Sequence, residues 1–176
     1  MKKILVVVDM QKDFVDGALG TKEAVAIVPA VAEKIAAFDG LIFATFDTHF
    51  DNYLKTAEGR KLPVPHCVKN TAGWFLDERV EEALRGKDVE RVEKRTFGSV
   101  DLPGQIRKAV GGEEISIELI GLCTDICVVS NALILKAAFP EAPIAVDAAC
   151  CAGVTPEKHR AALETMQSCQ IEIRNA

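Results

Sequence analysis

The sequence of 176 residues lacks the features that mark several special classes of protein. It has no long hydrophobic run, because the apolar stretch at residues 4–8 already ends at Asp9. Such a stretch is too short for a signal peptide or a membrane span. The chain also has no internal repeat, no low-complexity segment and no block of like charge. Neither a nucleic acid nor a membrane is therefore expected as a partner.

The composition is that of an ordinary globular protein. Hydrophobic residues make up 49% and charged residues 27%, and 26 acidic against 21 basic residues give a net charge of −5. This balance excludes disorder, a collagen helix and a coiled coil. The length predicts one domain over residues 1–176, which can bury about 70% of its unfolded surface. The six cysteines lie in no secretory context, which predicts reduced thiols and a cytoplasmic protein.

Hydrophobic patterning predicts strands that alternate with helices. Continuous apolar runs are typical of strands covered on both faces, whereas apolar residues three or four apart indicate helices. The predicted strands are 4–8, 41–46, 89–94, 115–120, 144–146 and 171–173, and the predicted helices are 23–38, 75–85, 104–110, 125–138 and 156–168. This order predicts an α/β protein with a three-layer, doubly wound fold. Its sheet would be mainly parallel and about six-stranded, with helices on both faces.

Ligands bind such sheets beyond the carboxyl ends of the strands, so the residues that follow each strand are candidates for a site. They are Asp9, Asp47, His49, Lys94, the turn from Cys123 to Cys127, and Asp147. The long polar segment at residues 47–70 follows one of these strands, and a loop of that length is usually functional. Asp147 is the least defined candidate, since it could instead hold a loop or cap a helix.

Cys127 lies close to the start of a predicted helix, directly after a strand and a turn. A helix N-terminus lowers the pKa of a thiol, and its free N–H groups can hold an oxyanion. Cys127 is therefore a candidate nucleophile, although a free cysteine is more often a small buried core residue. Cys123 competes for the role, but it lies in the turn itself, so its backbone N–H is the expected contribution.

Lys94 and Asp9 could complete a catalytic group with the cysteine. A lysine near a thiol favours the thiolate, and an aspartate beside both can relay a proton. The alternatives are a solvated strand end for Lys94 and a turn or cap residue for Asp9. No histidine lies at a suggestive position for a cysteine–histidine pair, and His159 is expected at the surface of the last helix.

The sequence Asp47-Thr48-His49, together with His66, suggests a metal site. Aspartate and imidazole suit zinc, iron or manganese, and three protein ligands leave positions open for water or substrate. The pattern is weak by itself, because histidines are common in loops.

Taken together, the motifs resemble those of the isochorismatase-like cysteine hydrolases, and most of all those of the nicotinamidase (pyrazinamidase) branch. They occur in the order of that family and span most of the chain. The matching segments are Val8-Asp9-Met10-Gln11-Lys12-Asp13-Phe14, Asp47-Thr48-His49, Pro65-His66-Cys67-Val68-Lys69-Asn70-Thr71-Ala72-Gly73, Lys94-Arg95-Thr96-Phe97-Gly98-Ser99 and Gly121-Leu122-Cys123-Thr124-Asp125-Ile126-Cys127-Val128.

The resemblance implies a catalytic triad of Asp9, Lys94 and Cys127. Cys127 would attack the carbonyl carbon of an amide, Asp9 would pass the thiol proton to the leaving ammonia, and Lys94 would hold the pair in its charged form. A thioacyl enzyme would form and then be hydrolysed. The resemblance also implies an oxyanion hole made by the N–H groups of Cys123 and Cys127, and a cis peptide between Leu122 and Cys123.

The resemblance further implies a divalent metal, zinc first and iron or manganese next, bound by Asp47, His49 and His66. It implies Phe14 and Leu122 as walls of a pocket for a small amide, with nicotinamide as the leading substrate. Relatives in the family are often dimers or larger, so a homo-oligomer is expected.

Two positions depart from the nicotinamidase pattern. Pro63 and Val64 stand where those enzymes usually have Trp-Pro, and Tyr53 lies in the loop that usually carries another histidine. Trp74 is too far past His66 to be assumed a replacement for the missing tryptophan. The amidase chemistry is thus better supported by the sequence than nicotinamide as its substrate.

Two other functions stay open on the sequence. One is a different hydrolase of the superfamily, acting on a ureido or carbamoyl amide or on isochorismate, although the isochorismate branch normally lacks the metal pattern. The other is a binding or redox protein on the same scaffold, which the six cysteines motivate. Cys150, Cys151 and Cys169 are interpreted as packing residues, because reduced cysteines commonly fill cores.

Overall fold

The computed structural model describes residues 1–176 and has a central six-stranded sheet. All five strand pairs are parallel, and the spatial order is β3-β2-β1-β4-β5-β6. The strands are β1 (Lys2–Val8), β2 (Leu41–Asp47), β3 (Val89–Lys94), β4 (Ile115–Leu122), β5 (Ile144–Ala152) and β6 (Glu172–Arg174). The predicted α/β fold with a parallel, six-stranded sheet is therefore confirmed.

Seven α-helices connect the strands and cover the sheet. They are α1 (Lys12–Val15), α2 (Lys22–Ala37), α3 (Ala57–Lys61), α4 (Glu78–Leu84), α5 (Leu102–Val110), α6 (Val129–Ala138) and α7 (Pro156–Ser168). Short 3-10 turns at Tyr53–Lys55 and Ala72–Trp74 and a π-turn at Thr124–Val128 complete the chain. No helix combines the length and the apolar character that crossing a membrane requires.

Two hydrophobic cores lie on the two faces of the sheet. One contains Ile4, Val6 and Val8 with apolar residues of α5, α6 and α7. The other contains Leu5 and Val7 with apolar residues of α2 and α4. Successive side chains of a strand point to opposite faces, so the uninterrupted apolar run of β1 supplies both cores at once.

Capping residues fix where the longer helices begin and end. The Thr21 side chain accepts a hydrogen bond from the Ala24 N–H at the start of α2, and Thr155 does the same for the Lys158 N–H at the start of α7. Such caps satisfy N–H groups that have no partner within the helix. Gly111, at a φ of 63°, ends α5 in the left-handed conformation that favours glycine.

The structure differs from the sequence prediction in three places. Strand β5 runs on to Ala152, so Asp147 lies inside a strand rather than after one. The helix expected from residue 125 starts as the wide π-turn and becomes α-helical only at Val129. Cys169 is exposed, which makes its interpretation as a packing residue wrong, whereas Cys150 and Cys151 are buried in the two opposite cores as expected.

Candidate active site

Three strand ends bring Asp9, Lys94 and Cys127 together. Lys94 Nζ lies 2.6 Å from Asp9 Oδ2 and 3.7 Å from Cys127 Sγ. The Asp9 carboxylate lies close enough to the Cys127 thiol to raise its pKa, and Thr45 Oγ1 donates to Asp9 Oδ1 at 2.6 Å. Each of these side chains is buried. The three residues that the sequence suggests as a triad thus form one connected group.

The backbone around Asp9 is unusual. Asp9 has a φ of 46°, a left-handed conformation that few residues other than glycine adopt. The neighbouring strand β4 carries Gly121 at a φ of 116°, and a Cβ atom there would collide with the backbone of Val8. The ends of β1 and β4 therefore approach each other closely, and an uncommon conformation of this kind is typical of functional sites.

Burial has the largest effect on the pKa values of Cys127 and Asp9. It raises the pKa of Cys127 well above the ordinary value, and the adjacent Asp9 carboxylate raises it further. Burial in the protein interior thus outweighs any lowering of this pKa by the helix N-terminus. Burial also raises the pKa of Asp9 against the opposing charge of Lys94. A protonated thiol needs a base, and an aspartate of raised pKa beside it is suited to that task.

Lys94 stays charged in this setting. Burial alone would lower its pKa, but the negative charge of Asp9, with a smaller contribution from Asp47, outweighs that effect, and the pKa lies above its usual range. Lys94 Nζ is also 3.7 Å from Asp47 Oδ1. A fixed positive charge therefore sits between the Asp9–Cys127 pair and the neighbouring group that contains Asp47.

The turn between β4 and α6 presents backbone N–H groups beside the thiol. The peptide between Leu122 and Cys123 is cis, as the resemblance implies. The Cys123 carbonyl accepts hydrogen bonds from the N–H groups of Ile126 and Val128 at 3.0 and 3.1 Å. The Cys123 N–H donates to no other backbone group in the loops and turns. It is therefore available to a developing negative charge on a substrate oxygen.

A second polar group lies next to this one. Asp47, His49, Glu58 and His66 each offer a ligand atom, and these atoms all lie within 4.8 Å of one another. Asp47 Oδ2 is 3.0 Å from His49 Nε2 and 3.5 Å from His66 Nε2. Glu58 Oε1 is 3.6 and 3.7 Å from the same two nitrogens. Convergence of two imidazoles and two carboxylates is typical of a metal site. These four residues are named the metal-type group, and their side chains the metal-type ligands.

The chemistry of the four donors fits a divalent cation. Asp47 Oδ1 is buried and accepts no hydrogen bond. Hydrogen bonds with His49 and His66 hold the pKa of Asp47 well below its usual range, although burial alone would raise it. The Val64 carbonyl, 2.8 Å from His66 Nδ1, accepts a hydrogen bond that leaves Nε2 facing the group. An orientation of this kind commonly supports a ligating histidine.

Gln11 fixes the backbone of Asp47. Its amide Nε2 donates to the Asp47 carbonyl at 2.8 Å, and its Oε1 accepts from the Asp47 N–H at 2.8 Å. The same amide nitrogen donates to the Trp74 carbonyl at 2.8 Å. Gln11 is fully buried, so one side chain ties the end of β1 to the aspartate of the metal-type group.

A cavity of about 610 Å³ is lined by His49 and Glu58 of the metal-type group. Asp9, Lys94 and Cys127 do not line it themselves, but Arg95 and Ile126, the chain neighbours of Lys94 and Cys127, do. A second hollow of about 650 Å³ lies by the amino ends of the strands and contains none of the candidate residues. The cavity at the carboxyl ends is therefore the candidate substrate site.

Phe14 and Leu122, the two predicted walls of the substrate pocket, lie in different surroundings. Phe14 packs against the His66 ring, with the centroids 5.4 Å apart, whereas Leu122 is buried in the core. Neither residue lines the cavity, where Phe97 and Ile126 do. Assigning Phe14 and Leu122 to the pocket from the resemblance thus does not match this cavity.

Trp74 and Tyr53, the two aromatic residues near the departures from the family pattern, support the metal-type group. Trp74 Nε1 donates to Thr48 Oγ1 at 2.9 Å, and its ring packs on Phe46. Tyr53 lies edge-on to His49 and His66, with centroids 4.6 and 5.1 Å away. Burial and the nearby carboxylates raise the pKa of Tyr53 to about 12. Tyr53 therefore packs as a neutral wall against the two imidazoles.

Two residues of this region were missed by sequence reasoning. Glu58 belongs to no motif. The one indication of its role in the sequence is that it is an acidic residue in the long loop between His49 and His66. His159 was expected at the surface, but it is half-buried and lies 2.8 Å from the Thr124 hydroxyl through Nδ1. Neither the loop nor the hydrogen bond could be derived from periodicity.

Comparison with known proteins identifies the family of the chain. The isochorismatase domain family matches residues 3–176, so the chain belongs to that family, as the motifs suggested. A protein described as the uncharacterized isochorismatase family protein PncA of Bacillus subtilis (strain 168) is 31% identical over 147 residues. That alignment covers 76% of this chain and 78% of the relative.

Comparison with solved structures finds the same fold in nicotinamidase/pyrazinamidase proteins. The crystal structure of nicotinamidase/pyrazinamidase PncA from Bacillus subtilis matches with a TM-score of 0.85 at 28% identity, over 99% of this chain and 100% of that one. Pyrazinamidase of Pyrococcus horikoshii, solved in complex with zinc, matches with a TM-score of 0.74 at 29% identity, over 98% of both chains. These relatives support the expectation of an amide-hydrolysing enzyme.

Proposed function

We propose that this protein is a cysteine-dependent amidohydrolase that releases ammonia from a small carboxamide, with nicotinamide as the leading substrate. The observation that carries the proposal is the Asp9–Lys94–Cys127 group, in which one lysine nitrogen contacts both the base and the nucleophile. The nicotinamidase/pyrazinamidase neighbours support the choice of substrate class.

Acylation begins with Asp9, which takes the proton of the Cys127 thiol. The sulfur then attacks the amide carbon, a C–S bond forms, and negative charge moves to the amide oxygen. The N–H groups of Cys123 and Cys127 stabilise that charge, and preorganised donors of this kind contribute about 10²–10³-fold to a rate. Asp9 then delivers its proton to the nitrogen, the C–N bond breaks, and ammonia leaves.

Deacylation uses the same residues in reverse order. Asp9, again a carboxylate, takes a proton from a water molecule that attacks the thioacyl carbon. The C–S bond breaks, the proton returns to Cys127, and the carboxylic acid is released. Lys94 stays positively charged throughout, so it stabilises the carboxylate of Asp9 and the sulfur of Cys127 whenever either carries negative charge.

We assign Asp47, His49, Glu58 and His66 as the residues that would hold a divalent metal, with zinc as the leading candidate. The donor set suits zinc, iron or manganese, and a neighbouring pyrazinamidase was solved with zinc. When bound, the metal would supply a Lewis-acidic positive charge beside the cavity, able to bind an electron-pair donor such as a ring nitrogen.

The test is ammonia release from nicotinamide by the wild type and by the Cys127→Ala variant, each after incubation with zinc. We expect release by the wild type and none above background by the variant, with unchanged far-UV circular dichroism. Release by the Cys127→Ala variant would contradict the cysteine mechanism. An inactive wild type would contradict nicotinamide as substrate.

One observation favours a second candidate. Lys61 and Arg95 both line the cavity, and two cations at its rim suit a substrate with a free carboxylate. An N-carbamoyl amino acid has that charge and also carries a cleavable amide. Ammonia release from N-carbamoyl amino acids, faster than from nicotinamide and lowered by Arg95→Ala, would support this alternative. Equal rates in Arg95→Ala and wild type would contradict it.

A further inference from the structure

We propose that His159 is a positioning residue for the proposed hydrolysis, acting through Thr124 on the turn that carries the oxyanion N–H groups. This inference rests on the proposed function. His159 Nδ1 lies 2.8 Å from Thr124 Oγ1, and Thr124 is the residue between Cys123 and Asp125. His159 does not line the cavity, so its effect would pass through the backbone of this turn.

The turn has an uncommon, wide hydrogen-bond pattern, so a contact from a neighbouring element can influence its shape. It is a π-turn of five residues, Thr124–Val128, and the Cys123 carbonyl is shared by the N–H groups of Ile126 and Val128. π-turns are rare and occur frequently at functional sites. The wide turn places an N–H of Cys123 at one end and Cys127 near the other. Their separation therefore depends on where Thr124 is held.

Helix α7 and the loop before it supply that support at two points. Thr124, which is fully buried, bonds with His159 in the first turn of α7. The next residue, Asp125, accepts a hydrogen bond from the Val154 N–H at 2.9 Å. Two successive side chains of the turn are thus fastened to the segment from Val154 to His159.

The segment fits tightly against the turn. A Cβ atom at Gly153 would lie 2.8 Å from the His159 nitrogen and 2.9 Å from Asp125 Oδ1, which leaves no room for a larger residue. The His159 backbone N–H is itself held by the Thr155 carbonyl at 2.9 Å. Burial lowers the pKa of His159, so the ring is neutral at pH 7. Its Nδ1 can then accept a hydrogen bond from the Thr124 hydroxyl group.

The test compares variants that remove the hydrogen bond with variants that keep it. His159→Leu and Thr124→Val remove it at similar volume, whereas Thr124→Ser keeps the hydroxyl and His159→Asn places an amide near the position of Nδ1. We expect kcat for nicotinamide to fall about tenfold in each of the first two, with KM changed less than about twofold, because oxyanion stabilisation acts on the transition state. Thr124→Ser and His159→Asn should recover most of the activity.

The double variant His159→Leu/Thr124→Val separates this role from general damage. Residues that act through one contact are not additive, so the double variant should be no slower than the slower single variant. Arg160→Ala, an exposed neighbour on α7, is the matched control and should keep wild-type kcat. Losses that multiply in the double variant, or a change confined to KM, would overturn the role of His159.

The aldehyde counterpart of nicotinamide gives an independent readout. Addition of the Cys127 thiol across its C=O bond makes a tetrahedral carbon whose oxygen occupies the oxyanion position. His159→Leu should weaken inhibition by the aldehyde by the same factor as kcat, and leave inhibition by nicotinate unchanged. Unchanged aldehyde inhibition, with an active wild type, overturns only this inference. A wild type that hydrolyses neither nicotinamide nor an N-carbamoyl amino acid overturns the proposed function and this role with it.

Discussion

The molecule holds an aspartate, a lysine and a cysteine together in two places. One is the trio of the proposed mechanism (Asp9, Lys94, Cys127), named the active-site trio for that proposal, and the other is the second trio (Asp147, Lys34, Cys150). In the active-site trio the lysine nitrogen is 2.6 Å from the carboxylate. In the second trio, Lys34 Nζ is 2.7 Å from the Asp147 carboxylate, whose negative charge also raises the pKa of Cys150. The residue types and the central ion pair are thus the same.

The surroundings of the two trios differ. The second trio lies within the sheet, where Asp147 occupies the middle of β5, and Lys34 also pairs with Glu118 at 2.9 Å. Burial and Asp147 raise the pKa of Cys150 to about 11. The second trio adjoins no π-turn and no cluster of metal-type donors. The active-site trio lies at strand ends beside the Cys123 N–H and four metal-type ligands, and Arg95 and Ile126, the chain neighbours of Lys94 and Cys127, line a cavity.

The comparison teaches that a set of residue types does not define a catalytic site. An ion pair beside a thiol can serve only to neutralise charge in the interior, as in the second trio. Chemistry needs, in addition, a place for the substrate and donors for the charge that develops on it. Strand ends provide both, because the chain leaves the sheet there and its N–H groups become available.

The largest expected effect separates the two cysteines. Cys127→Ala should lower kcat/KM for nicotinamide by at least about 10⁴-fold, because it removes the nucleophile. Cys150→Ala, its matched control in the second trio, should stay within about twofold of the wild type. Ammonia release measures both. A large loss in Cys150→Ala at unchanged stability would give the second trio a role in catalysis and break the comparison.

The sequence predicted the fold and the three strand-end residues well for a common reason. Runs such as residues 4–8 have side chains buried on both faces, and this burial follows from chain pattern alone. Once the strands are known to be parallel, Asp9 and Lys94 must lie at the same edge. The trio at the active site is thus a consequence of topology, which the sequence encodes locally.

Other parts of the site depend on tertiary packing and could not be predicted. Glu58 reaches the metal-type group because α3 folds within a loop that has no hydrophobic period. The pKa of Cys127 is raised by burial, which the sequence does not report. Strand β5 extends beyond residue 146 through Asp147 and small residues, and aspartate and alanine are depleted in strands. For that reason the sequence did not predict the second trio.

Replacing Lys94 should lower activity, whereas replacing Lys34 should lower stability. Lys94→Met should lower kcat/KM by about 10²–10³-fold, since it removes the charge that stabilises the Asp9–Cys127 pair. Lys34→Met should leave activity near the wild type and lower the free energy of unfolding by about 1 kcal/mol, because the buried Asp147 loses its half-buried cationic partner. Kinetics and urea denaturation measure the two effects. An inactive but stable Lys34→Met variant would refute the distinction.

Metal binding should respond only to residues on the active-site side. Glu58→Gln should weaken zinc binding by about tenfold or more, because an amide oxygen replaces a charged ligand. Glu118→Gln, which removes a carboxylate beside the second trio, should leave zinc affinity unchanged. Competition with a chromogenic chelator gives both affinities. Equal zinc affinity in Glu58→Gln and wild type would leave the metal to Asp47 and the two histidines alone.

The smallest expected effect is the acid sensitivity of the second trio. Burial alone would raise the pKa of Asp147, but hydrogen bonding to Lys34 outweighs it, and the folded-state pKa lies below the ordinary value. A depressed carboxyl pKa stabilises the fold above the unfolded pKa of about 3.9 and loses that contribution as the pH falls through the folded value. Asp147→Asn should therefore be less stable than the wild type at pH 7 by an amount on the order of 1 kcal/mol.

That difference should shrink as the pH falls below about 4, because the unfolded chain binds a proton at Asp147 before the folded protein does. It should vanish once the carboxyl group of the folded protein is protonated too. Urea denaturation at pH 7 and at progressively lower pH measures it, with Asp101→Asn, at an exposed position, as the control. A stability difference that persists unchanged in acid would mean that the second trio stabilises the fold by packing rather than by charge. The ion pair would then be incidental there, and charge would matter only at the active-site trio.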